Sequence, residues 1–439
     1  MVTRKRRSRS TVRVALPGPG RRRHRRRGIA SRFRSARSRA AVAAAVLLLI
    51  VLALTLAPME TTETDIPGRC IWCGHFALAD AILNVLLFVP LGFLLGLRRH
   101  AVPVRIWGGL TMLAAAIEAA QLFLPGRFPT VSDVAANSLG AALGLLLAGL
   151  WKRGVPVLVR DSSHLPLVAG VFAAVLTVGP VLLLRPSLPD SEWFGQWTAD
   201  LGHYDRYRGE VLDVRIGGSP APSGRLPDTP ATRSAILAGD RATVRYIAGP
   251  GTERLAPIFS IYDGMEREIF VFGGRKEDLV VRIRRSASEI RLRSPQTLYE
   301  GAASVAGDTV DSWVELRSGA VCAELASDPC RALAPPGRGW SLLLGAAPSN
   351  LVERLADASW LALLFLPLGY GLRRNLTAHA GLAIAVVGLL AAASIAGGMQ
   401  PADWYSTAAG AGAGLLGGMW AGRWVPRRFR YRTDLSPRR

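Results

Sequence analysis

Long apolar runs dominate both ends of the chain, and a different rhythm occupies its middle. Runs of roughly 18 to 20 residues with few or no charges lie near 40–58, 77–97, 106–124 and 134–151, and again near 165–184, 355–372, 378–397 and 404–422. Each is long enough, as a helix, to cross about 30 Å of hydrocarbon, so the pattern predicts a polytopic α-helical membrane protein with about eight spans. Between 186 and 350 the apolar runs shorten and alternate with polar residues at period two. RATVRYIAG, PIFSIYDG, REIFVFGG, DLVVRIRR, EIRLRS and GWSLLLGAA are separated by Gly, Asp and Pro. Short strands at such spacing predict an all-β domain of two packed sheets inserted between spans.

The helical pattern is written twice. LADAILNVLLFVPLGFLLGLRR begins at Leu78, and RLADASWLALLFLPLGYGLRR begins at Arg354. Asp80 aligns with Asp357, Phe88 with Phe365, Pro90 with Pro367 and Gly92 with Gly369. In the last span of each copy, sliding past the shorter loop aligns Asp133 with Asp403, Asn137 with Thr407, Gly140 with Gly410 and Gly144 with Gly414. Four spans per copy make both copies enter the membrane from one side, a tandem parallel repeat. The expected organisation is a basic tail (1–39), a four-helix unit (40–151), a helix opening the second unit (165–184), the β domain (186–350), three further helices (351–422) and a second basic tail (423–439).

Charge then sets orientation. The chain has 439 residues, half of them hydrophobic, and a formal net charge of +22. Its basic clusters fall at every second span boundary: the tail GRRRHRRRG, LRRHAVPVR, WKRGVPVLVR, LRRN and VPRRFRYR. Lys and Arg near span ends are retained in the cytoplasm, which predicts an inner-membrane protein with both termini inside and the β domain outside. The arginine tail also fits a nucleic-acid arm, but a span follows it at once. A topology signal held by anionic lipid needs fewer assumptions, so lipids and no nucleic acid are the expected partners. A signal peptide is the other alternative, though the run from Ala40 lacks a convincing cleavage site.

All four cysteines fall on the side expected to be exported. Cys322 and Cys330, in GAVCAELASDPC, are candidates for a disulfide across a hairpin or loop. Cys70 and Cys73 form CIWCGH, whose spacing suits a redox pair or half a zinc site with His75 as a third ligand. No second pair completes four ligands, so a local disulfide or free thiols are the simpler reading, and neither metal nor cofactor is expected.

Polar residues inside spans are costly and point to function. Asn84, Glu118, Gln121, Asp133 and Asn137 lie within or at the edge of the first copy's spans, and Arg127 lies in the loop above them. Glu118 is expected about six residues below a helix end at Leu124, and Asp133 is expected to open the next helix with Ser132 as its N-cap. Gly140 and Gly144 on the Asp133 face would allow close helix contact. Two carboxylates near an arginine suit acid–base chemistry, with Glu118 and Asp133 as candidate catalytic groups; the same three could equally be a salt bridge locking helix ends. No HExxH, phosphate loop or nucleophile with a histidine base is visible in the membrane part.

The set Asn84, Phe88, Pro90, Gly92, Ile117, Glu118, Gln121, Arg127, Asp133, Asn137, Gly140 and Gly144 resembles the VanZ-like membrane family. That resemblance implies an envelope protein with a possible relation to teicoplanin resistance. The second copy departs from the pattern, with Leu361 where the first has Asn84. IFSIYDGMEREIFVFGG followed by DLVVRIRR resembles the laminin-G or concanavalin-like jelly roll, which implies a glycan or protein binder; a spacer is the plain alternative. Two classes of function follow. One is a binding protein that takes a glycan, lipid-linked glycan or protein at the outer face, and the other is an intramembrane enzyme acting on a lipid headgroup.

Overall fold

A computed structural model describes residues 42–57, 76–98, 102–124, 127, 129–153, 164–199, 204–324, 329–345, 349–373 and 376–424. The basic tails, CIWCGH and the METTETD loop lie outside these residues. The helices are α1 (Val42–Leu56), α2 (Ala77–Gly96), α3 (Pro103–Gln121), α4 (Val131–Lys152) and α5 (Leu165–Leu183) before the β region. After it come α8 (Asn350–Leu372), α9 (Leu376–Ala396) and α10 (Pro401–Trp424); α6 (Thr229–Ala238) and α7 (Ser341–Leu344) lie within it. By length and composition α2, α4, α5 and α8 are able to cross a membrane. Their exposed faces carry Leu86, Leu146, Val168, Phe172 and Leu363, as surfaces solvated by lipid do.

Glycine lets the helices of each copy touch backbone to backbone. A β-carbon added at Gly140 would stand 2.3 Å from the Val85 carbonyl oxygen, and one at Gly144 would stand 2.2 Å from that of Val89. In the second copy Gly414 meets Ala362 O at 2.4 Å and Gly418 meets Leu366 O at 2.1 Å in the same sense. Between helices with equally apolar surroundings, such close van der Waals approach is what favours association. Around each glycine seam a separate apolar core forms. Val51, Phe88, Leu91, Leu110 and Ala114 fill the first, and Ala173, Leu361, Phe365, Leu368 and Val386 fill the second.

These contacts correct the sequence alignment. Val85 corresponds to Ala362 and Val89 to Leu366, so the partner of Gly140 is Gly414 and that of Gly144 is Gly418. The last helix is therefore shifted by one turn relative to the sequence match, and Asp133 corresponds to Thr407, Asn137 to Ala411. Glycines spaced four apart, at 410, 414 and 418, give a helix seam that aligns with itself after one turn. Asp403 falls opposite Pro129 and accepts a hydrogen bond from the Gln400 backbone N–H, 3.2 Å.

The middle of the chain folds into two antiparallel six-stranded sheets. Their strands are β1 (Trp193–Trp197), β2 (Glu210–Ile216), β3 (Ser219–Pro220), β4 (Gly224–Arg225), β5 (Ala242–Ile247), β6 (Ala256–Asp263), β7 (Glu268–Arg275), β8 (Asp278–Ile283), β9 (Thr297–Tyr299), β10 (Thr309–Arg317), β11 (Ala320–Ala323) and β12 (Cys330–Ala332). One sheet runs β4-β1-β6-β7-β8-β9 and the other β12-β11-β10-β5-β2-β3. Their facing sides share a core that includes Trp193, Val214, Val244, Phe259, Phe272, Tyr299 and Val321. Cys322 and Cys330 stand opposite each other on β11 and β12 and are joined by a disulfide.

Four of the six alternating segments are strands, and two are not. EIRLRS lies across the end of a 3-10 helix (Ser286–Ile290) and a turn in which Arg291 takes a φ of 59°. GWSLLLGAA contains α7, ended by Gly345 at φ 84°. A short apolar run is compatible with either structure, and here contact with the helices decides. Trp340 packs edge-on to Trp360 of α8, with ring centroids 5.2 Å apart, while Leu342 and Leu343 are buried.

Candidate functional site

The first copy's polar residues gather at the end of the helices nearest the β region. Thr130 is the N-cap of α4: its hydroxyl accepts the Asp133 N–H at 3.2 Å and lies 2.7 Å from the Ser132 hydroxyl. The helix thus starts earlier than the sequence suggests, and Ser132 is inside it rather than its cap. The Thr130 N–H donates to Glu118 Oε2 at 3.0 Å. Glu118 belongs to the last turn of α3, which stops at Gln121 instead of continuing to Leu124. Across the α2–α4 seam, Asn84 Nδ2 donates to Asp133 Oδ1 at 2.7 Å. Asn137 sits one turn beyond Asp133 on the same face, 1% exposed, and its carboxamide oxygen has no hydrogen-bond partner among the described residues.

Two of the expected site residues face elsewhere. Arg127 donates from Nε to Ala57 O at 2.9 Å and from Nη2 to Leu54 O at 2.8 Å, closing the exposed carbonyl end of α1. Gln121 donates to Thr55 O at 2.8 Å. Among the described residues Arg127 makes no ion pair with Glu118 or Asp133, the bridge that the sequence permits. Arg127 and Gln121 fasten α1 to the α3–α4 turn, while Asn84, Glu118, Asp133 and Asn137 form the polar cluster. Among the described residues no group of three His, Cys, Asp or Glu is placed to hold a metal ion.

Residues 30–152 match the VanZ/LLP1 family model. No curated protein and no solved structure matches the chain. The VanZ-like segment contains α1 to α4 and every residue of the polar cluster, and with the apolar helices it supports a membrane protein.

Beside the VanZ-like segment, the β region supplies groups that the sequence alone did not single out. Arg293 Nη2 lies 2.8 Å from Asp80 Oδ1, and its guanidinium stacks 4.9 Å from the Phe76 ring centre. Asp80 is one turn before Asn84 on α2. At the second copy, Arg338 Nη2 lies 2.8 Å from Glu353 and Nε 3.8 Å from Asp357, on α8. Burial alone would favour losing the Arg338 charge, but Glu353, Asp357 and Asp403 outweigh it and hold the group above its ordinary range. Arg285, also fully buried and close to Arg338, is pushed down to about 9 by burial and by that like charge, partly opposed by Glu353. The available signal was that Asp80 and Asp357 occupy matching positions, though no spacing rule reveals their partners, one 213 residues further along the chain and the other 19 residues before.

The loop carrying Arg338 fits closely against the second copy. A β-carbon on Gly339 would stand 2.0 Å from the Trp360 ring, and one on Gly337 would stand 2.8 Å from Asp357 Cβ. Ala334 N–H donates to Gly397 O at 3.2 Å, at the turn between α9 and α10. Asp80 and Asp357 are thus each engaged by the β region.

Proposed function

We propose that this protein is an envelope membrane protein of eight spans that binds a lipid headgroup or lipid-linked glycan in the outer leaflet. On this reading both termini are cytoplasmic, the β region is an exported jelly roll, and Asn84, Glu118, Asp133 and Asn137 form the binding site. The observation that carries it is the convergence of these four side chains, from three helices, at the end nearest the β region. A polar cluster at that depth meets headgroups at its rim and acyl chains along its walls. The β region adds a second surface. A cleft of about 440 Å³, lined by Asp190, Ser191, Glu192, Arg225, Asp228 and Thr229, offers carboxylates, hydroxyls and a guanidinium to a polyhydroxylated glycan.

Native mass spectrometry of the full-length protein, isolated from envelope membranes, tests the reading. Retained lipid is expected in the wild type and in Asp403→Asn, and at least a tenfold loss is expected in Asp133→Asn. Equal retention in all three sinks it. An intramembrane enzyme is the second reading, favoured by the pairing of two carboxylates, Glu118 and Asp133, at one site. Glu118→Gln separates the two: the binding reading predicts weakened lipid retention, whereas an enzyme, deprived only of the proton this variant cannot exchange, loses its envelope phenotype while still retaining lipid. A link to teicoplanin resistance is part of the proposal and rests on the family resemblance alone.

A further inference from the structure

The two copies hold the same kind of group at their mouths. Asp80 and Asp357 occupy equivalent turns, as do Phe76 and Glu353. Arg293 engages the first pair of positions, by a 2.8 Å ion pair and a ring stack. Arg338 engages the second, 2.8 Å and 3.8 Å from its two carboxylates. These arginines come from unrelated segments of the β region, one after a 3-10 helix and one from a proline–glycine loop. Two independent segments therefore present a guanidinium to the same place on the repeated helix pair.

Below the mouths the copies differ. The second has buried Leu361 at the position of Asn84, with Thr407 and Ala411 at the positions of Asp133 and Asn137. The first holds acceptors and has few donors to match them. The Asn84 amide is committed to Asp133, the Thr130 N–H to Glu118, and Arg127 and Gln121 to carbonyls of α1. The Asn137 oxygen, almost fully buried, is left without a donor among the described residues. A buried acceptor without a partner is costly, and two carboxylates share the cluster, so a ligand that donates several hydrogen bonds and carries positive charge complements it.

We infer that the first copy binds a primary ammonium group, which enters beside Asp80 and is held by Glu118, Asp133 and Asn137. This rests on the reading that the cluster is a headgroup site and names the headgroup's chemistry. The ammonium can come from an aminophospholipid or from a free amine. In either case three N–H bonds answer three acceptors, whereas a polyol or a quaternary ammonium brings hydroxyls or no donor at all.

The test uses the full-length protein in detergent, delipidated and titrated separately with short-chain phosphatidylethanolamine, phosphatidylglycerol, phosphatidylcholine and ethanolamine. Binding is read by native mass spectrometry, and by isothermal calorimetry for ethanolamine. Phosphatidylethanolamine is expected to bind at least tenfold more tightly than the other two lipids. Glu118→Gln and Asn137→Leu are each expected to weaken it tenfold or more, while Thr407→Val in the second copy leaves it unchanged. Glu118→Gln preserves shape, so it reports even where Asn137→Leu fails to fold. Ethanolamine binding that the same variants weaken also supports the inference and makes a soluble amine sufficient. Preference for phosphatidylglycerol, lost in the variants, overturns the ammonium class while the headgroup reading stands. No binding of any probe overturns both, and phosphatidylethanolamine binding that none of these substitutions changes overturns the site.

Discussion

At the residue scale, the contrast between Asn84 and Leu361 separates a polar site from scaffold. Asn84→Leu gives the first copy the residue of the second and removes the 2.7 Å bond to Asp133. A hydrogen bond between membrane helices contributes about 0.6 to 2 kcal/mol, so the variant is expected to fold with a modest stability loss while lipid retention falls sharply. Thermal unfolding in detergent, run beside native mass spectrometry, checks both halves. Asn84, Glu118, Asp133 and Asn137 were legible in the sequence because ionisable and amide groups stand out against apolar runs. The roles of Arg127 and Gln121 were not: long side chains choose among partners within reach, and the α1 carbonyls became visible only once that helix was in place.

Asp263 shows the same scale in the β region. Burial works to raise its pKa, but N–H donors from Arg267 and Met265 and the Arg267 guanidinium, 2.7 Å away, outweigh it and hold the carboxyl below its ordinary range. A carboxyl lowered in the folded state contributes stability above its unfolded value, about 3.9, and loses that contribution as pH falls through the lowered folded value. The gap in unfolding midpoint between wild type and Asp263→Asn is therefore expected to be full at pH 6 and to close below about pH 4. A gap that persists at low pH refutes the carboxylate's role in the β6–β7 turn.

At the element scale, helix pairing depends on where glycine meets carbonyl. Gly144→Ala would drive a methyl to 2.2 Å from Val89 O, forcing α2 and α4 apart at a cost of about 1 to 3 kcal/mol. Gly149, five residues further along α4, has open space at its β-carbon, and Gly149→Ala is expected to be neutral or mildly stabilising. Comparing the two melting temperatures tests the seam with helix propensity held constant. Helix existence was clear from run length, and four strands were clear from period two. WFGQW, EVLDVRI and TVDSWVELR were missed as strands, and α6 was missed although Asp228 caps it by accepting the Ala231 N–H at 2.8 Å. Register of the second copy was also misread by one turn, because repeated glycines satisfy two alignments and only backbone contact chooses between them.

At the scale of the whole molecule, the β region is fastened to both copies by arginine pairs of different burial. Asp80–Arg293 is partly open to solvent, whereas Arg338 is buried with Arg285 beside it. Glu353→Gln leaves two buried guanidinium groups with Asp357 as their nearest remaining counter-charge. Breaking a buried pair by removing one partner costs about 3 kcal/mol or more, so the variant is expected to unfold earlier and expose the 334–340 loop to protease. Unchanged proteolysis would show that the ion pair is not what holds that loop.

The sequence by itself determined the apolar helices, the alternation of the β region, the internal repeat and the polar residues of the first copy, because burial against lipid or core imposes a period readable along the chain. Tertiary structure alone decided which polar groups meet, that Thr130 caps α4, how the second copy is registered, and that Arg293 and Arg338 reach equivalent aspartates. Those outcomes depend on contacts between distant segments, and hydrogen-bond and charge pairing carry no period from which a partner's position could be read.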